Sequence, residues 1–333
     1  MDRPRTDDPA AGISPTPWRG YARGPRPAAT IALLAIGAAL LLRHLRSVDW
    51  TAMREVLARL PHESLLVAGA LTAVSYAVYC SFDLLGRRVT GHRLDRARVL
   101  AIGFVGHACA LSLGPAGAGV RFRLCTRHGL PAHLCAALWL FNVATNWLGF
   151  IALAGAAFAA RLIELPASWG IAGDALQSAG IAMLAAVGMY LAACHAARHR
   201  SRSVGGVEFR LPPLPVALLQ CGLSALNWLL LGGIVFALLR ERAPFEAVLG
   251  ALMASALALA VIDVPAGLGI TETVFLALLS QRVPAAELLA ALMAYRAIYF
   301  VGPLLLASIV YACLEWDALT APRRSPAAHS RRP

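Results

Sequence analysis

The sequence predicts an all-α integral membrane protein, built as an inverted repeat of spans plus two re-entrant helical hairpins. Hydrophobic residues make up 59% of the chain and charged residues only 14%, whereas soluble proteins average about 25% charged residues. Several apolar runs approach the roughly 20 residues that cross a bilayer as a helix. A proline- and glycine-rich motif also occurs twice within apolar surroundings. We therefore expect about six full spans plus two hairpins, or eight or more helices if each is counted separately.

The basic residues predict how the chain is oriented. The 333-residue chain has a net charge of +12, and all of its 30 basic residues are arginine. They cluster between the apolar runs, as in cytoplasmic loops beside anionic lipid. Because no soluble basic domain is present, we expect no nucleic-acid binding. We predict disordered cytoplasmic termini at 1–27 and 314–333 around a single polytopic domain, 28–313.

The first half of this domain, about 28–160, begins with a short span. We interpret this span as an uncleaved anchor, although the core of a signal peptide is the rival interpretation. Helical spacing of apolar residues predicts an interfacial amphipathic helix next. Arginines after the second span place the following loop in the cytoplasm. The predicted order is span 28–42, interfacial helix 43–64, span 65–85, hairpin 99–130 and span 131–160.

The second half, about 175–313, has the same order of elements in the opposite orientation. The loop at 161–174 has a single arginine and is predicted to be extracytoplasmic, whereas the arginine-rich loop after 197 is predicted to be cytoplasmic. The predicted order is span 175–197, span 214–239, hairpin 245–280 and span 285–313.

The two hairpins are predicted from a repeated motif. Pro115-Ala-Gly-Ala-Gly119 matches Pro265-Ala-Gly-Leu-Gly269, and a Pro-Ala pair that opens a long helix follows each copy. Proline and glycine interrupt helices, and inverted repeats with broken helices are typical of secondary transporters. Ordinary kinked helices without functional symmetry are the alternative. The predicted tip residues are Pro115, Gly117, Gly119, Pro265, Gly267 and Gly269.

Arginines next to the first tip indicate a phosphate site. Arg121 and Arg123 follow the motif directly, and guanidinium groups bind phosphate in a planar, two-pronged geometry. The alternative is that they are loop arginines at the cytoplasmic interface.

Acids flank the second tip. Asp263 and Glu272 are candidates to carry a proton, to balance Arg296 in the last span, or to bind a cationic head group. Glu272 also lies near the start of a short helix, so helix capping alone is an alternative role. The predicted substrate-binding set is Arg121, Arg123, Asp263, Glu272 and Arg296.

The sequence contains few candidates for catalytic residues or metal ligands. Cys125, His128, His133 and Cys135 have a spacing that matches no common zinc site. We interpret Asp83 and His107 as structural residues. Because no established catalytic motif is present, we expect neither enzyme activity nor a metal or cofactor. An intramembrane lipid-modifying enzyme that uses Glu272 or His107 is a minor alternative.

Two segments resemble a known family. Val264-Pro-Ala-Gly-Leu-Gly-Ile-Thr-Glu-Thr-Val-Phe275 resembles the signature of the lysylphosphatidylglycerol synthase transmembrane family, with Ala266 in place of the first glycine of the usual P-G-G-x-G-x-x-E. Gly119-Val-Arg-Phe-Arg-Leu124, followed by Gly129-Leu130, is similar to a second segment of that family. The family includes the flippase half of MprF-type proteins and stand-alone YbhN-like proteins. The resemblance covers roughly 28–313.

This resemblance implies a multi-pass protein of the bacterial inner membrane that flips a lipid. The expected partners are membrane lipids, namely an anionic or aminoacylated phospholipid or another amphiphile. Bifunctional members carry a soluble aminoacyl-transferase domain after the membrane part; because this sequence ends at Pro333, we expect no such activity. The alternative function is a non-transporting accessory protein in a lipid or cell-envelope pathway, such as hopanoid synthesis. The sequence identifies neither the substrate, the coupling ion nor the oligomeric state.

Overall fold

The computed structural model describes residues 50–162, 173–196, 202–204, 207–209, 211–261 and 269–320. The predicted span 28–42 and the predicted disordered N-terminus lie outside these residues, as does most of the C-terminal tail. The helices within the described ranges are α1 (Trp50–Arg59), α2 (His62–Thr90), α3 (Arg96–Leu113), α4 (Pro115–Arg127), α5 (Ala132–Ala159), α6 (Gly173–Ala196), α7 (Leu214–Leu238), α8 (Phe245–Val261), α9 (Ile270–Leu279), α10 (Ala285–Tyr295) and α11 (Gly302–Thr320).

Six helical segments in the described part are long and apolar enough to cross a membrane. They are α2, α3, α5, α6, α7 and the continuous segment Ala285–Asp317. The prediction of an all-α, multi-span membrane protein is therefore confirmed. Five of these segments coincide with predicted full spans. The sixth is α3, which has only 18 residues and forms the first arm of the predicted hairpin 99–130.

The first hairpin turns at a single glycine. Gly114 has φ of +56° and separates α3 from α4, which begins at Pro115. Pro115, Gly117 and Gly119 therefore lie in the first turns of α4 and do not form a helix-breaking stretch, as the repeated motif had suggested. Proline is tolerated there because the first turn of a helix has no intrahelical acceptor for its N–H. Gly117 lies directly against the backbone of Ala110, so its missing side chain lets the two arms pack closely.

The second hairpin consists of α8 and α9. Gly269, with φ of +85°, caps the start of α9. The predicted tip residues Pro265 and Gly267, and the candidate acid Asp263, lie outside the described residues.

A short β-hairpin between α6 and α7 was not predicted. β1 (Arg202–Val204) pairs antiparallel with β2 (Val207–Phe209), with Arg202 opposite Phe209. Each strand has three residues, which is too short for an alternating pattern to stand out within the arginine-rich loop.

Helix α2 forms the centre of the helical bundle. It packs against α3, α5 and α7, and its buried face carries polar residues such as Ser75 and Asp83. Helix α6 lies at the periphery and packs on α5, where Gly155 and Gly180 bring the two backbones together. The polar face of α2 therefore points toward the two helices of the first hairpin and toward the last span.

The last span changes its winding at mid-length. Between α10 and α11, residues Arg296–Val301 form a π-helical segment. Pro303 follows and has no N–H to offer the carbonyl of Tyr299, four residues earlier. The hydroxyl of Tyr76 on α2 donates to that carbonyl instead, at 3.1 Å. Because π-helical turns are frequently found at functional sites, this segment directs attention to the residues around Tyr299.

Candidate functional site

A buried ion pair joins the first hairpin to α2. Arg121 on α4 contacts the carboxylate of Asp83, and both side chains are 7% exposed. The amide of Asn142 on α5 donates to Asp83 Oδ1 at 2.9 Å. The aliphatic part of Arg121 packs against Gly106 on α3. Four helices thus meet at one carboxylate–guanidinium pair in the apolar part of the bundle.

A second pair joins the same hairpin to the last helix. Arg123 donates to Glu315 on α11 through two nitrogens, with Nε–Oε1 at 2.8 Å and Nη2–Oε2 at 3.1 Å. Arg127, one turn along α4, lies 3.4 Å from Glu315 Oε2. Two arginines therefore share one carboxylate at the end of the bundle where α4 and α11 meet.

A third pair joins the second hairpin to the last span. Arg296 donates to Glu272 on α9 through Nε at 2.8 Å and Nη2 at 2.9 Å. Glu272 Oε2 also accepts the backbone N–H of Gly269 at 3.0 Å. Glu272 thus caps its own helix and neutralises an arginine, so both roles considered from the sequence are present in one side chain.

Between these pairs lies a buried polar network around Tyr299. Its hydroxyl is 3.2 Å from Ser75 Oγ and 3.4 Å from His107 Nε2. Ser75 donates to Asn227 Oδ1 on α7 at 2.7 Å. The His107 ring stacks on Tyr79, with ring centroids 3.4 Å apart, and Tyr79 in turn interacts with Arg121. A chain of polar groups therefore runs from the Arg121 pair to the last span.

A cavity of about 230 Å³ lies at the end of the bundle where α5 ends and α8 begins. Arg161, Glu246 and Arg282 contribute charged groups to its lining. Arg161 also forms hydrogen bonds with Gln177 on α6, with Nε–Oε1 at 3.1 Å. The cavity borders both helices of the second hairpin.

The structure distributes the predicted site residues over separate ion pairs. It brings Glu272 and Arg296 together, whereas Arg121 and Arg123 pair with acids that were not in the predicted set. Asp263 is outside the described residues. The roles of these residues in substrate binding stay predictions.

Sequence reasoning missed both partner acids. Asp83 was interpreted as structural, although an acid within an apolar run is itself a signal of function. Glu315 lies two residues beyond the predicted end of the last span, so it was assigned to the tail. Within the described residues, no three His, Cys, Asp or Glu side chains come together as a metal site.

Comparison with known proteins identifies a membrane-protein family and two relatives for this chain. Residues 30–307 match the family model described as "Lysylphosphatidylglycerol synthase TM region". The chain is similar to "Inner membrane protein YbhN" of Escherichia coli strain K12, with 37% identity over 292 residues, 87% of this chain and 92% of that protein. It is also similar to "Uncharacterized protein slr0712" of Synechocystis, with 29% identity over 297 residues, 86% of this chain and 92% of that protein.

Proposed function

Since this chain belongs to the lysylphosphatidylglycerol synthase transmembrane-region family, we propose that it moves a phospholipid or a related amphiphile between the leaflets of the bacterial inner membrane. The observation that carries the proposal is the way the two hairpins are fastened. Each is held to the last span by a two-pronged arginine–glutamate pair. The first hairpin supplies the arginine, Arg123, and the second supplies the acid, Glu272.

A positive group on one hairpin and a negative group on the other match a head group that carries one negative and one positive charge. A lipid phosphate replaces a carboxylate on an arginine of the first hairpin, and an ammonium group replaces Arg296 on Glu272. Such an exchange keeps every charge paired, which matters because an unpaired charge inside a membrane is costly. An aminoacylated phospholipid, with its phosphate and its amine, fits both ends. Asp263 is proposed to assist Glu272 at the ammonium end.

The charge balance of the first hairpin favours an anion. Within the described residues, the ion pairs of Arg121, Arg123 and Arg127 involve two acids, Asp83 and Glu315, so three positive charges face two negative ones. The Arg127 side chain is 30% exposed and is the one of the three that an entering phosphate reaches first. Phosphate groups bind such arginine clusters through charge-assisted hydrogen bonds.

The two pairs lie at different depths of the last span. Arg296 and Glu315 are 19 residues apart in sequence, which corresponds to roughly 28 Å along a helix. That length is close to the hydrocarbon thickness of a bilayer, about 30 Å. We propose that the Arg123–Glu315 pair closes the cytoplasmic side and the Glu272–Arg296 pair closes the site toward the opposite side of the membrane. The cavity lined by Arg161 and Arg282 then serves the extracytoplasmic side. This assignment follows from the cytoplasmic termini that the arginine distribution predicts.

Proteoliposomes that contain fluorescent phosphatidylglycerol or its aminoacylated form test the proposal. An impermeant reductant bleaches the label in the outer leaflet, and the protein is expected to bring further label to that leaflet. Glu272→Gln and Arg121→Ala should abolish this movement while the protein stays folded. Glu63→Gln, at the exposed start of α2, is the matched control. Unchanged movement in both site variants would refute the site. Variants without movement that still complement a deletion strain would favour the accessory role.

A further inference from the structure

One oxygen of the Asp83 carboxylate has no partner in the described structure. Asp83 is 5% exposed. Its Oδ1 atom accepts a hydrogen bond from Asn142 and contacts the guanidinium of Arg121. Its Oδ2 atom is buried and accepts no hydrogen bond within the described residues. An ionised carboxylate has about four acceptor positions, and buried polar atoms rarely lack a partner. The site therefore satisfies the ionised form of Asp83 incompletely.

The space around Oδ2 explains why this oxygen stays unpartnered. It faces Gly103 on α3 so closely that even an added Cβ atom at Gly103 would collide with the carboxylate. A water molecule has no room on that side. Within the described residues, the charge of Asp83 is therefore balanced by one cation, the guanidinium of Arg121, beside the hydrogen bond from Asn142.

The two residues of the ion pair, Asp83 and Arg121, lie on different kinds of element, a full span and a hairpin arm. Asp83 and Asn142 lie on the full spans α2 and α5, whereas Arg121 lies on the second arm of the first hairpin. Any displacement of that hairpin separates the charges. A carboxylate left alone in this environment is costly, and a neutral carboxyl group is much less so. Separation of the pair is therefore linked to protonation of Asp83.

We propose that Asp83 is a proton-binding site coupled to anion binding at Arg121. In the empty protein, the Asp83 carboxylate neutralises Arg121. When the phosphodiester group of a ligand takes its place on Arg121, Asp83 binds one proton from water and becomes a neutral carboxyl group. One anion and one proton enter together, so the net charge of the site is the same before and after. This inference rests on the proposed function, because it takes the ligand to be an anionic head group.

Asp83 is the carboxylate that pairs with Arg121 in the described structure, and the other groups near the pair differ from it in chemistry. Arg87, one turn along α2, gives its Nε–H to the carbonyl of Leu94 at 2.8 Å. Helix α5 contributes the amide of Asn142, which does not titrate. Other titratable groups near the pair are phenols, thiols and an imidazole, among them Tyr79, Cys80, His107, Cys125, Cys135 and Tyr299.

Proton uptake on ligand binding tests the inference. The full-length protein in detergent is mixed with short-chain dioctanoyl-phosphatidylglycerol in weakly buffered solution, and a pH indicator records the protons taken up. We expect one proton per bound lipid and an affinity that rises about tenfold for each unit of falling pH, the limit for uptake of one proton. A second arm uses glycerophosphoglycerol, the same head group without acyl chains. Binding there would assign the site to a free phosphodiester as well as to a lipid.

Three variants separate proton binding from a merely structural role. Asp83→Asn resembles the neutral carboxyl group, so it should bind the lipid with no proton uptake and no pH dependence. Asp83→Glu retains a titratable carboxyl group and covers the case in which Asp83→Asn does not fold; it should retain uptake with a displaced midpoint pH. Glu63→Gln should match the wild-type protein. Uptake that is undiminished in Asp83→Asn, or a midpoint that does not move in Asp83→Glu, overturns the inference.

The outcomes also distinguish this inference from the proposed function. Lipid binding with proton uptake but without lipid movement in proteoliposomes would refute transport and leave the proton site in place. Lipid movement without any proton uptake would refute the proton site and leave transport in place. If neither the lipid nor glycerophosphoglycerol binds, the exchange at Arg121 is refuted.

Discussion

Arg123 and Glu315 are 192 positions apart in the chain and form a two-pronged ion pair, with the two contacts at 2.8 and 3.1 Å. Their side chains are only 9% and 11% exposed. The pair fastens the second arm of the first hairpin to the end of the last helix. It therefore couples the position of the hairpin to the position of α11.

Removal of Arg123 should destabilise the protein. Arg123→Ala leaves Glu315 with Arg127 and Tyr311 as partners, and we expect a loss of roughly 3 kcal/mol, near the lower end for breaking a buried pair. Unfolding in mixed micelles measures this change. Arg59→Ala breaks the exposed Glu55–Arg59 pair and is the control, with an expected change below about 0.5 kcal/mol. Equal effects of the two substitutions would contradict a structural role for the Arg123 pair.

Gly117 should be intolerant of any side chain. An added Cβ atom at Gly117 would collide with the backbone of Ala110 and Cys109, so Gly117→Ala must push the hairpin arms apart, at an expected cost of about 1–3 kcal/mol. Gly119→Ala, on the same helix, meets nothing within 4 Å and should be neutral or stabilising by up to about 1 kcal/mol. The same unfolding assay compares the two variants. A stable Gly117→Ala protein would argue against close packing of the arms.

His92 should make the stability fall in acid. It lies in the loop between α2 and α3, where burial, and then nearby Arg87, lower the pKa of its imidazole. Its Nδ1 accepts the N–H of Leu94 at 3.3 Å, and protonation removes that acceptor. The unfolded chain binds the proton at its ordinary pKa of about 6.5, so the stabilising contribution of His92 is complete above that pH and decreases below it.

Unfolding measured at about pH 8 and about pH 5, the range in which histidine titrates, checks this prediction. His92→Gln should lose less stability between these two values than the wild-type protein loses. His62→Gln, at the exposed start of α2, should keep the wild-type difference. If His92→Gln and the wild-type protein lose the same stability between these pH values, protonation of His92 does not cause the loss.

The arginine distribution predicts cytoplasmic termini, and reporter fusions measure this orientation. A fluorescent protein fused after Pro333 should be fluorescent, and alkaline phosphatase fused there should be inactive. After Leu162 the two reporters should behave in the opposite way, because the loop that follows is poor in arginine. A fusion after Arg93 serves as a control and should match the one at the C-terminus. Active phosphatase after Pro333 would reverse the proposed sides of the two ion pairs.

Much of the fold could be predicted because membrane-spanning helices require long apolar segments, which are visible in the local sequence. Runs of about 20 apolar residues and the prolines and glycines between them are visible without any knowledge of packing. The predicted spans that fall in the described residues are present as helices. The prediction was less accurate at the first hairpin, where Gly114 alone makes the turn and Pro115 already belongs to α4.

The candidate site was predicted in part. The charged residues near the two repeated motifs were found because charges are rare within apolar segments. Arg296 was expected to need an acid, and Glu272 is beside it in the structure. The pairing of Asp83 with Arg121 was not predicted, since a single acid at the end of a span shows nothing about what it faces.

The sequence by itself determined the class of protein, the positions of most spans, the two hairpins and the family resemblance, because apolar length, helix breakers and short motifs are local properties. Only the tertiary structure decided which acid belongs to which arginine. Glu272 and Arg296 are 24 positions apart, whereas Arg123 and Glu315 are 192 apart. A guanidinium group pairs with the carboxylate that helix packing brings within about 3 Å of it, and that distance is set by the whole bundle.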